Sequence, residues 1–324
     1  MSAGEATRPY VGRLAPSPTG ALHLGNVRTF MVAWLRARSL GGRVVMRMED
    51  LDHPRDKPGA ASAAIADLRW LGFDWDEEYV QSGRRAFYRE RLERLREQGL
   101  AYPCACTRRD VENAQSAPHA GEQLFYPGTC RGRFATWAAA LAACEPPRLP
   151  CWRFRAPEGE TVAFADAIAG PYAQDVAGTL GDFPLARDAD GAGYTLAAVA
   201  DDLAMGVTEV VRGDDLLAAT PAQILVARAL GGREPAYCHV PLVVGPDGRR
   251  LAKRHGDTRV AAYRAGGVPP GRILGRLAAS CGWCDPDEEI SLAALVPRFT
   301  LATIPRAPLV WGAAKPFAGP LTSS

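Results

Sequence analysis

Hydrophobic and polar positions along the chain alternate between two periods. Residues 10–15 (YVGRLA) predict a short strand, which Pro16-Ser-Pro-Thr-Gly20 breaks into a loop. From Asn26 to about Leu40 the apolar residues Val27, Phe30, Met31, Trp34 and Leu35 recur near helical spacing. Gly41-Gly42 stops that helix, and Arg43–Met48 reads as a second strand. Strand, loop, helix, strand predicts a βαβ unit with parallel strands and a right-handed crossover. Further helices are predicted over Ala60–Trp70 and Arg84–Gln98. The latter carries Arg and Glu at three- and four-residue spacings, the signature of a solvated, salt-bridge-laced helix. Residues 101–190 lose this regularity and read as an inserted domain rich in Gly and Pro turns. From Tyr194 the alternation resumes, with strands predicted at Val207–Arg212 and His239–Val244 and a helix at Thr220–Leu230. The pattern gives an α/β protein in four parts: 1–100 and 191–260 as halves of one parallel-sheet domain, 101–190 inserted between them, and 261–324 as a short helical remnant with a Pro-rich tail.

Composition sharpens this only in places. With 324 residues, 47% hydrophobic and 23% charged, the chain buries a sizeable core and is not globally disordered. No apolar run approaches eighteen residues and the N-terminus lacks a signal-peptide stretch, so a cytoplasmic protein with no membrane partner is expected. A net charge of +2 excludes a global basic field of the kind that drives indiscriminate nucleic-acid binding. Lysines are confined to Lys57, Lys253 and Lys315 among 38 basic residues, so a lysine inside an arginine cluster asks for a local reason. Eight cysteines without an export signal are not a disulfide framework. Cys281-Gly-Trp-Cys284 has redox-motif spacing, but it follows a helical pattern rather than a strand, which argues against a thioredoxin-like role.

Two stretches carry phosphate-facing chemistry. In Arg13-Leu-Ala-Pro-Ser-Pro-Thr-Gly-Ala-Leu-His-Leu-Gly-Asn26 a strand ends, a Pro-stiffened turn follows, and His23-Leu-Gly-Asn26 opens a helix whose N-terminus attracts anions. Gly25 lets a ligand approach the backbone, and His23 offers a ring donor; a lone His at a helix start is nonetheless more often structural. In Gly245-Pro-Asp-Gly-Arg-Arg-Leu-Ala-Lys-Arg-His-Gly256 four cations fall between Arg249 and Arg254. The bland reading is an exposed basic loop. The sharper one is that the compact ammonium of Lys253 makes a point contact with transferring phosphates.

Together the stretches resemble the HIGH and KMSKS motifs of class I aminoacyl-tRNA synthetases, in His23–Asn26 and Arg250–Arg254. Arg13–Gly20, Arg47-Met-Glu-Asp-Leu-Asp52 and Val211-Arg-Gly-Asp-Asp215 are similar to the glutamyl-tRNA synthetase branch, over roughly residues 10–285. The chain departs from the motifs at Asn26, where HIGH ends in His, and at Arg250 and Ala252, where KMSKS has Lys and Ser. The resemblance implies a Rossmann-type catalytic domain. It implies that Arg13, Leu14, Ala15, Pro16, Ser17, Glu49, Tyr194 and Arg212 hold glutamate, and that His23, Gly25, Asn26 and Lys253 hold ATP, with His23 and Lys253 catalytic. The chemistry fits, since an Arg binds a carboxylate bidentately and Glu49 pairs with an α-ammonium. Magnesium would accompany ATP.

Cys104-x-Cys106 with Cys130 offers three thiolates, one short of a structural zinc site. Spacing alone proposes His119 as the fourth ligand, whereas the resemblance points to Tyr126; three reduced cysteines without metal is the bland alternative. The zinc would fold the insertion and take no part in the chemistry. Only 69 residues follow His255, too few for the anticodon-reading domain of glutamyl-tRNA synthetases. That resembles the shortened glutamyl-Q branch of the family. For this chain the branch implies tRNA-independent activation of glutamate and its transfer to queuosine at the wobble position of tRNA(Asp), by a monomer.

Overall fold

The structure, a computed structural model, describes residues 8–51, 57–114, 124–187, 191–249, 251 and 258–312. The first half runs β1 (Val11–Leu14), α1 (Leu24–Ser39), β2 (Arg43–Met48), α2 (Ala60–Trp70), β3 (Glu77–Val80) and α3 (Arg85–Glu97). The middle holds β4 (Ala101–Cys104), α4 (Arg108–Ala114), α5 (Trp137–Ala142), β5 (Cys151–Phe154), β6 (Thr161–Asp166), β7 (Gly170–Asp175), α6 (Val176–Thr179) and β8 (Phe183–Ala186). The chain closes with α7 (Tyr194–Ala204), β9 (Glu209–Gly213), α8 (Thr220–Ala229), β10 (Ala236–Val240), β11 (Val243–Val244), α9 (Val260–Ala265), α10 (Pro270–Ala279), α11 (Leu292–Leu295) and β12 (Leu309–Val310).

Strands β1, β2 and β3 pair in parallel in that order, and β9, β10 and β6 pair in parallel with β7 added antiparallel at the edge. The two groups meet where β1 runs beside β9. Thr208 N–H donates to the Val11 carbonyl at 2.9 Å and Val11 N–H donates to Thr208 Oγ1 at 3.0 Å. Beyond that point the pair has no regular ladder, and the Arg13 guanidinium on β1 donates to the Val211 carbonyl on β9. This is a switch point of an α/β sheet, with strands leading away on both sides and a crevice at their carboxyl ends, where ligands bind.

Both faces of the sheet are covered, as parallel sheets require. Along β2, Val44 and Met46 enter the core under α1 and α2, while Val45 enters the opposite core with Tyr88, Leu92 and Leu95 of α3. Residues 101–190 do not form one separate module. Strands β4, β5 and β8 make their own antiparallel sheet, but β6 pairs with β10 and so extends the main one. The predicted strand His239–Val244 is two strands, because Pro241 has no N–H to continue a ladder. Cys281 is buried beneath α1, and Cys284 Sγ donates to the Gly275 carbonyl at 3.3 Å. Burial raises both thiols above their usual range, which leaves the redox reading without support. The predicted Pro-rich tail is partly structured: β12 pairs in parallel with β11. No helix among the described residues is long and apolar enough to cross a membrane.

Candidate active site

The loop after β1 and the start of α1 form one wall of the crevice. His23 is the N-cap of α1: its Nδ1 accepts the Asn26 N–H at 3.4 Å, and Asn26 Oδ1 accepts the His23 N–H at 3.2 Å. Asn26, the departure from HIGH, thus completes a capping box. A Cβ at Gly25 would stand 3.0 Å from the His23 ring and 3.6 Å from Val243, so glycine here lets the imidazole and β11 close over the first turn.

The KMSKS-like segment is rooted at the same place. Before it, Gly245 N–H donates to the Arg249 carbonyl at 2.8 Å in a tight turn after β11. After it, Leu24 N–H donates to the Thr258 carbonyl at 3.1 Å and Val260 N–H to the Leu22 carbonyl at 2.9 Å. Arg250, Ala252, Lys253 and Arg254 themselves lie outside the described residues. Both roots of their loop flank His23.

Across the crevice, the carboxyl ends of β1, β2 and β9 present Arg13, Arg47, Glu49 and Arg212. Arg47 is buried and fully engaged: Nη1 donates to Asp202 at 2.6 Å, and Nη2 donates to Glu49 at 2.9 Å. Burial disfavours its charge, but Asp202, Glu49 and Asp201 outweigh this and hold its pKa above the usual arginine value. Burial pushes the Glu49 carboxyl up, against the pull of Arg47 and Arg13. Arg13 is the reverse case. Burial first, with Arg47 and Arg212 adding to it, lowers its pKa against the opposing pull of Asp202, and its Nε is a buried donor without an acceptor. Arg13 is thus only partly engaged: it donates to the Val211 carbonyl, and Asp202 stands 3.7 Å from its Nε, beyond hydrogen-bond range. Three guanidiniums at the carboxyl ends of these strands, one with a donor left over, suit an anion.

Arg212 is held on its inner side. Nε donates to His239 Nε2 at 3.0 Å and Nη2 to Thr220 Oγ1 at 2.8 Å, while Nη1 has no partner among the described residues. Tyr194 opens α7 with 44% of its surface exposed; its hydroxyl is raised above the usual phenol range by desolvation and then by the charge of Glu49. Glu49 N–H donates to the Pro16 carbonyl at 2.9 Å, tying the loop to the end of β2. Pro16 is buried, Ala15 half-buried and Ser17 exposed, whereas the Leu14 side chain is fully inside the core and offers a ligand only its main chain.

Residues 10–294 match the family model described as tRNA synthetases class I (E and Q), catalytic domain. The chain belongs to this family. A glutamyl-Q tRNA(Asp) synthetase of Symbiobacterium thermophilum is 49% identical over 92% of this chain and 94% of its own length. One from Rhodopirellula baltica is 45% identical over 93% of this chain and 96% of its own. Among solved structures, a glutamate tRNA ligase from Elizabethkingia meningosepticum, in complex with its amino acid, superposes with a TM-score of 0.79 at 26% identity, covering 95% of this chain and 68% of that one.

Away from this synthetase's crevice, the Sγ atoms of Cys104, Cys106 and Cys130 all lie within 4.8 Å of one another and could hold a metal ion. Tyr126 Oη sits 3.2 Å from Cys104 Sγ and 3.7 Å from Cys106 Sγ, and accepts the Cys130 N–H at 2.9 Å. A tetrahedron with metal–sulfur arms of about 2.3 Å has edges of about 3.8 Å, so three sulfurs and one oxygen at these spacings fit a structural zinc. Arg153 favours the anionic ligands, its guanidinium 3.7 Å from the Tyr126 ring centroid and its Nε 3.2 Å from Cys104 Sγ. His119 lies outside the described residues. Sequence reasoning missed Cys151, which stands opposite Cys104 in the β4–β5 register, and it missed Asp166 and His239 behind Arg212. Only the strand pairing, absent from any local pattern, brings these residues in.

Proposed function

We propose that this synthetase condenses L-glutamate with ATP to glutamyl-adenylate without tRNA, then passes the glutamate to queuosine at the wobble position of tRNA(Asp). The observation that carries the reading is the 49% identity to a glutamyl-Q tRNA(Asp) synthetase over 94% of that relative's length, against 26% to a glutamate tRNA ligase. The crevice is consistent with it. Arg13 and Arg212 supply donors for the side-chain carboxylate, Glu49 and Tyr194 face the α-ammonium, and Ala15, Pro16, Ser17 and the Leu14 main chain line the rest. The substrate's α-carboxylate oxygen attacks the α-phosphorus of ATP, a phosphorus–oxygen bond forms, and the bond to the β-phosphate breaks to release pyrophosphate. The protein supplies no nucleophile. His23, Gly25, Asn26 and Lys253 orient the phosphates and stabilise their developing charge. Magnesium bound with ATP would supply further charge neutralisation at these phosphates.

Cys104, Cys106, Cys130 and Tyr126 would hold one zinc that orders the β4–β5–β8 sheet, with no part in the chemistry. The enzyme acts as a cytoplasmic monomer.

Glutamate-dependent ATP–pyrophosphate exchange without tRNA tests the first step, with Lys253→Ala as control. Exchange that Lys253→Ala abolishes supports the reading. Exchange that appears only when tRNA is added favours an acceptor-end glutamyl-tRNA synthetase, and none under either condition leaves a silent glutamate- or RNA-binding paralogue. Glutamylation of queuosine-bearing tRNA(Asp) whose terminal adenosine lacks both the 2′- and the 3′-hydroxyl separates wobble-base transfer from acceptor-end charging and leaves the queuosine diol intact.

A further inference from the structure

Behind Arg212, on the side away from the crevice, lies a buried chain of polar groups for which the reaction itself has no use. His239 on β10 is the direct cross-strand partner of Arg212 on β9, and Asp166 ends the neighbouring strand β6. All three are almost fully buried, at 1%, 6% and 5% exposure for His239, Arg212 and Asp166. Arg212 Nε lies 3.0 Å from His239 Nε2, and His239 Nδ1 lies 2.6 Å from Asp166 Oδ2.

Hydrogen-bond logic fixes the protons. A guanidinium has no acceptor, so His239 Nε2 must carry the lone pair, and the ring proton must sit on Nδ1, donated to Asp166. Asp166 in turn is pinned by the backbone: Oδ1 accepts the Ile168 N–H at 3.0 Å and the Ala169 N–H at 2.8 Å. Thr220 Oγ1 accepts from Arg212 Nη2 at 2.8 Å and lies 3.2 Å from the Leu216 carbonyl, to which its hydroxyl donates. Two of the three guanidinium nitrogens are thereby locked, and Nη1 alone is left to turn toward the crevice.

We propose that Asp166 and His239 are positioning residues that select for a carboxylate at Arg212. They hold the guanidinium plane in one orientation, and both imidazole nitrogens are occupied, so at Arg212 the pocket presents a donor and His239 offers no free acceptor beside it. A ligand ending in a carboxylate matches this arrangement. One ending in a carboxamide brings an NH2 group that finds no acceptor there, and mismatched buried polar groups are what give strong discrimination. The proposal rests on the glutamate-binding reading above.

Asp166→Asn is the decisive variant because it keeps the shape and reverses the protons. The backbone N–H groups of Ile168 and Ala169 hold the amide oxygen at the Oδ1 position, so the NH2 group faces His239 Nδ1 and donates to it; the His239 N–H, which reaches Oδ2 at 3.1 Å and Oδ1 at 3.2 Å, keeps the oxygen at Oδ1 as its acceptor. The ring proton then moves to Nε2, directly against Arg212 Nε–H. The expected result is a rise of at least tenfold in the KM for glutamate in pyrophosphate exchange, with kcat within about threefold. The glutamate-over-glutamine ratio of kcat/KM should fall by at least tenfold. Nitrogen-15 spectra of histidine-labelled protein should show His239 as the Nδ1–H tautomer in the wild type and as Nε2–H in the variant. A wild-type Nε2–H tautomer overturns the proposal, as does a switched tautomer that leaves KM and the glutamine ratio within twofold. Wild-type protein with no glutamate-dependent exchange sinks the functional reading instead, and the wild-type tautomer still decides the relay. His239→Gln, which keeps an acceptor near the Nε2 position, should recover part of the KM loss that His239→Phe causes, and equal losses in the two would also overturn the proposal.

Discussion

Asn26 and His23 cap each other: Asn26 Oδ1 accepts the His23 N–H at 3.2 Å, and His23 Nδ1 accepts the Asn26 N–H at 3.4 Å. The second bond uses the ring's Nδ1 as acceptor, which places the ring proton on Nε2. That bond comes from the main chain, so the tautomer is set by the helix start itself, and the Asn26 side chain adds the return bond to the His23 N–H. Asn26→Ala removes one bond outright and should cost about 1 kcal/mol in urea unfolding. Asn26→Asp keeps the acceptor and should restore stability to within about 0.5 kcal/mol of wild type. Its negative charge at a helix N-terminus that receives phosphates should still raise the KM for ATP in pyrophosphate exchange several-fold. Equal stability loss in both variants would show that the cap is not what Asn26 provides.

Acid should destabilise the fold through His239. Its pKa is lowered from the ordinary 6.5, by burial first and then by Arg212 and Arg13, with the Asp166 bond opposing. Tyr237 stacks on the ring at 6.2 Å between centroids, and Thr220 Oγ1 lies 3.2 Å from Nε2. Below pH 6.5 the unfolded chain protonates this histidine while the folded one does not, so stability falls as pH falls, and is fully present above that value. The loss approaches about 1.4 kcal/mol per pH unit until the folded group itself titrates. The Asp166 pKa is lowered as well, chiefly through its bonds to His239 and to the Ala169 and Ile168 N–H groups against the cost of burial, so its contribution is lost only as pH falls below the usual carboxylate value. Urea unfolding of wild type and His239→Gln between pH 7.5 and 5.5 checks this, the wild type showing the steeper dependence.

What the sequence made legible follows from where its punctuation is. Gly41-Gly42 and the Pro16–Gly20 loop bracket β1, α1 and β2, and Arg43–Met48 and Ala60–Trp70 have the predicted bounds. Strands β6 and β7 escaped notice because small residues, Gly170 and Pro171 interrupt their pattern and no residue of β7 is fully buried. Of the crevice, the motif residues were legible because each sits at the end of a recognisable element. Arg47 was legible only as part of a motif, and its bond to Asp202 spans 155 positions. His239 and Asp166 gave no signal at all, since a histidine in a buried strand looks the same whether it orients a guanidinium or fills space.

The cysteine cluster should carry about one zinc per chain in metal analysis of freshly purified protein. Tyr126→Phe deletes a ligand oxygen and the acceptor of the Cys130 N–H, and should weaken zinc retention against a chelator by at least tenfold. Because the cluster lies apart from the crevice, pyrophosphate exchange by the variant should stay within about threefold of wild type while its melting temperature falls. A variant that holds zinc as tightly as wild type would return the fourth position to another donor.

The last described strand acts on the phosphate loop from outside it. Leu309 N–H donates to the Leu242 carbonyl at 2.9 Å and Trp311 N–H to the Val244 carbonyl at 2.7 Å, so β12 braces β11, the strand from which the KMSKS-like loop departs. Trp311 is 7% exposed and joins the core under α1. Trp311→Ala leaves a cavity there and should cost about 3 kcal/mol. Ending the chain after Pro308 removes the brace as well, so the free β11 edge has no partner on that side. The shortened chain should lose at least tenfold in kcat/KM for ATP, and more of that loss should fall on ATP than on glutamate, because Arg13, Glu49 and Arg212 are held by other strands. Pyrophosphate exchange at varied ATP and at varied glutamate measures the two separately. An equal loss in both would mean that β12 supports the fold as a whole and not the loop.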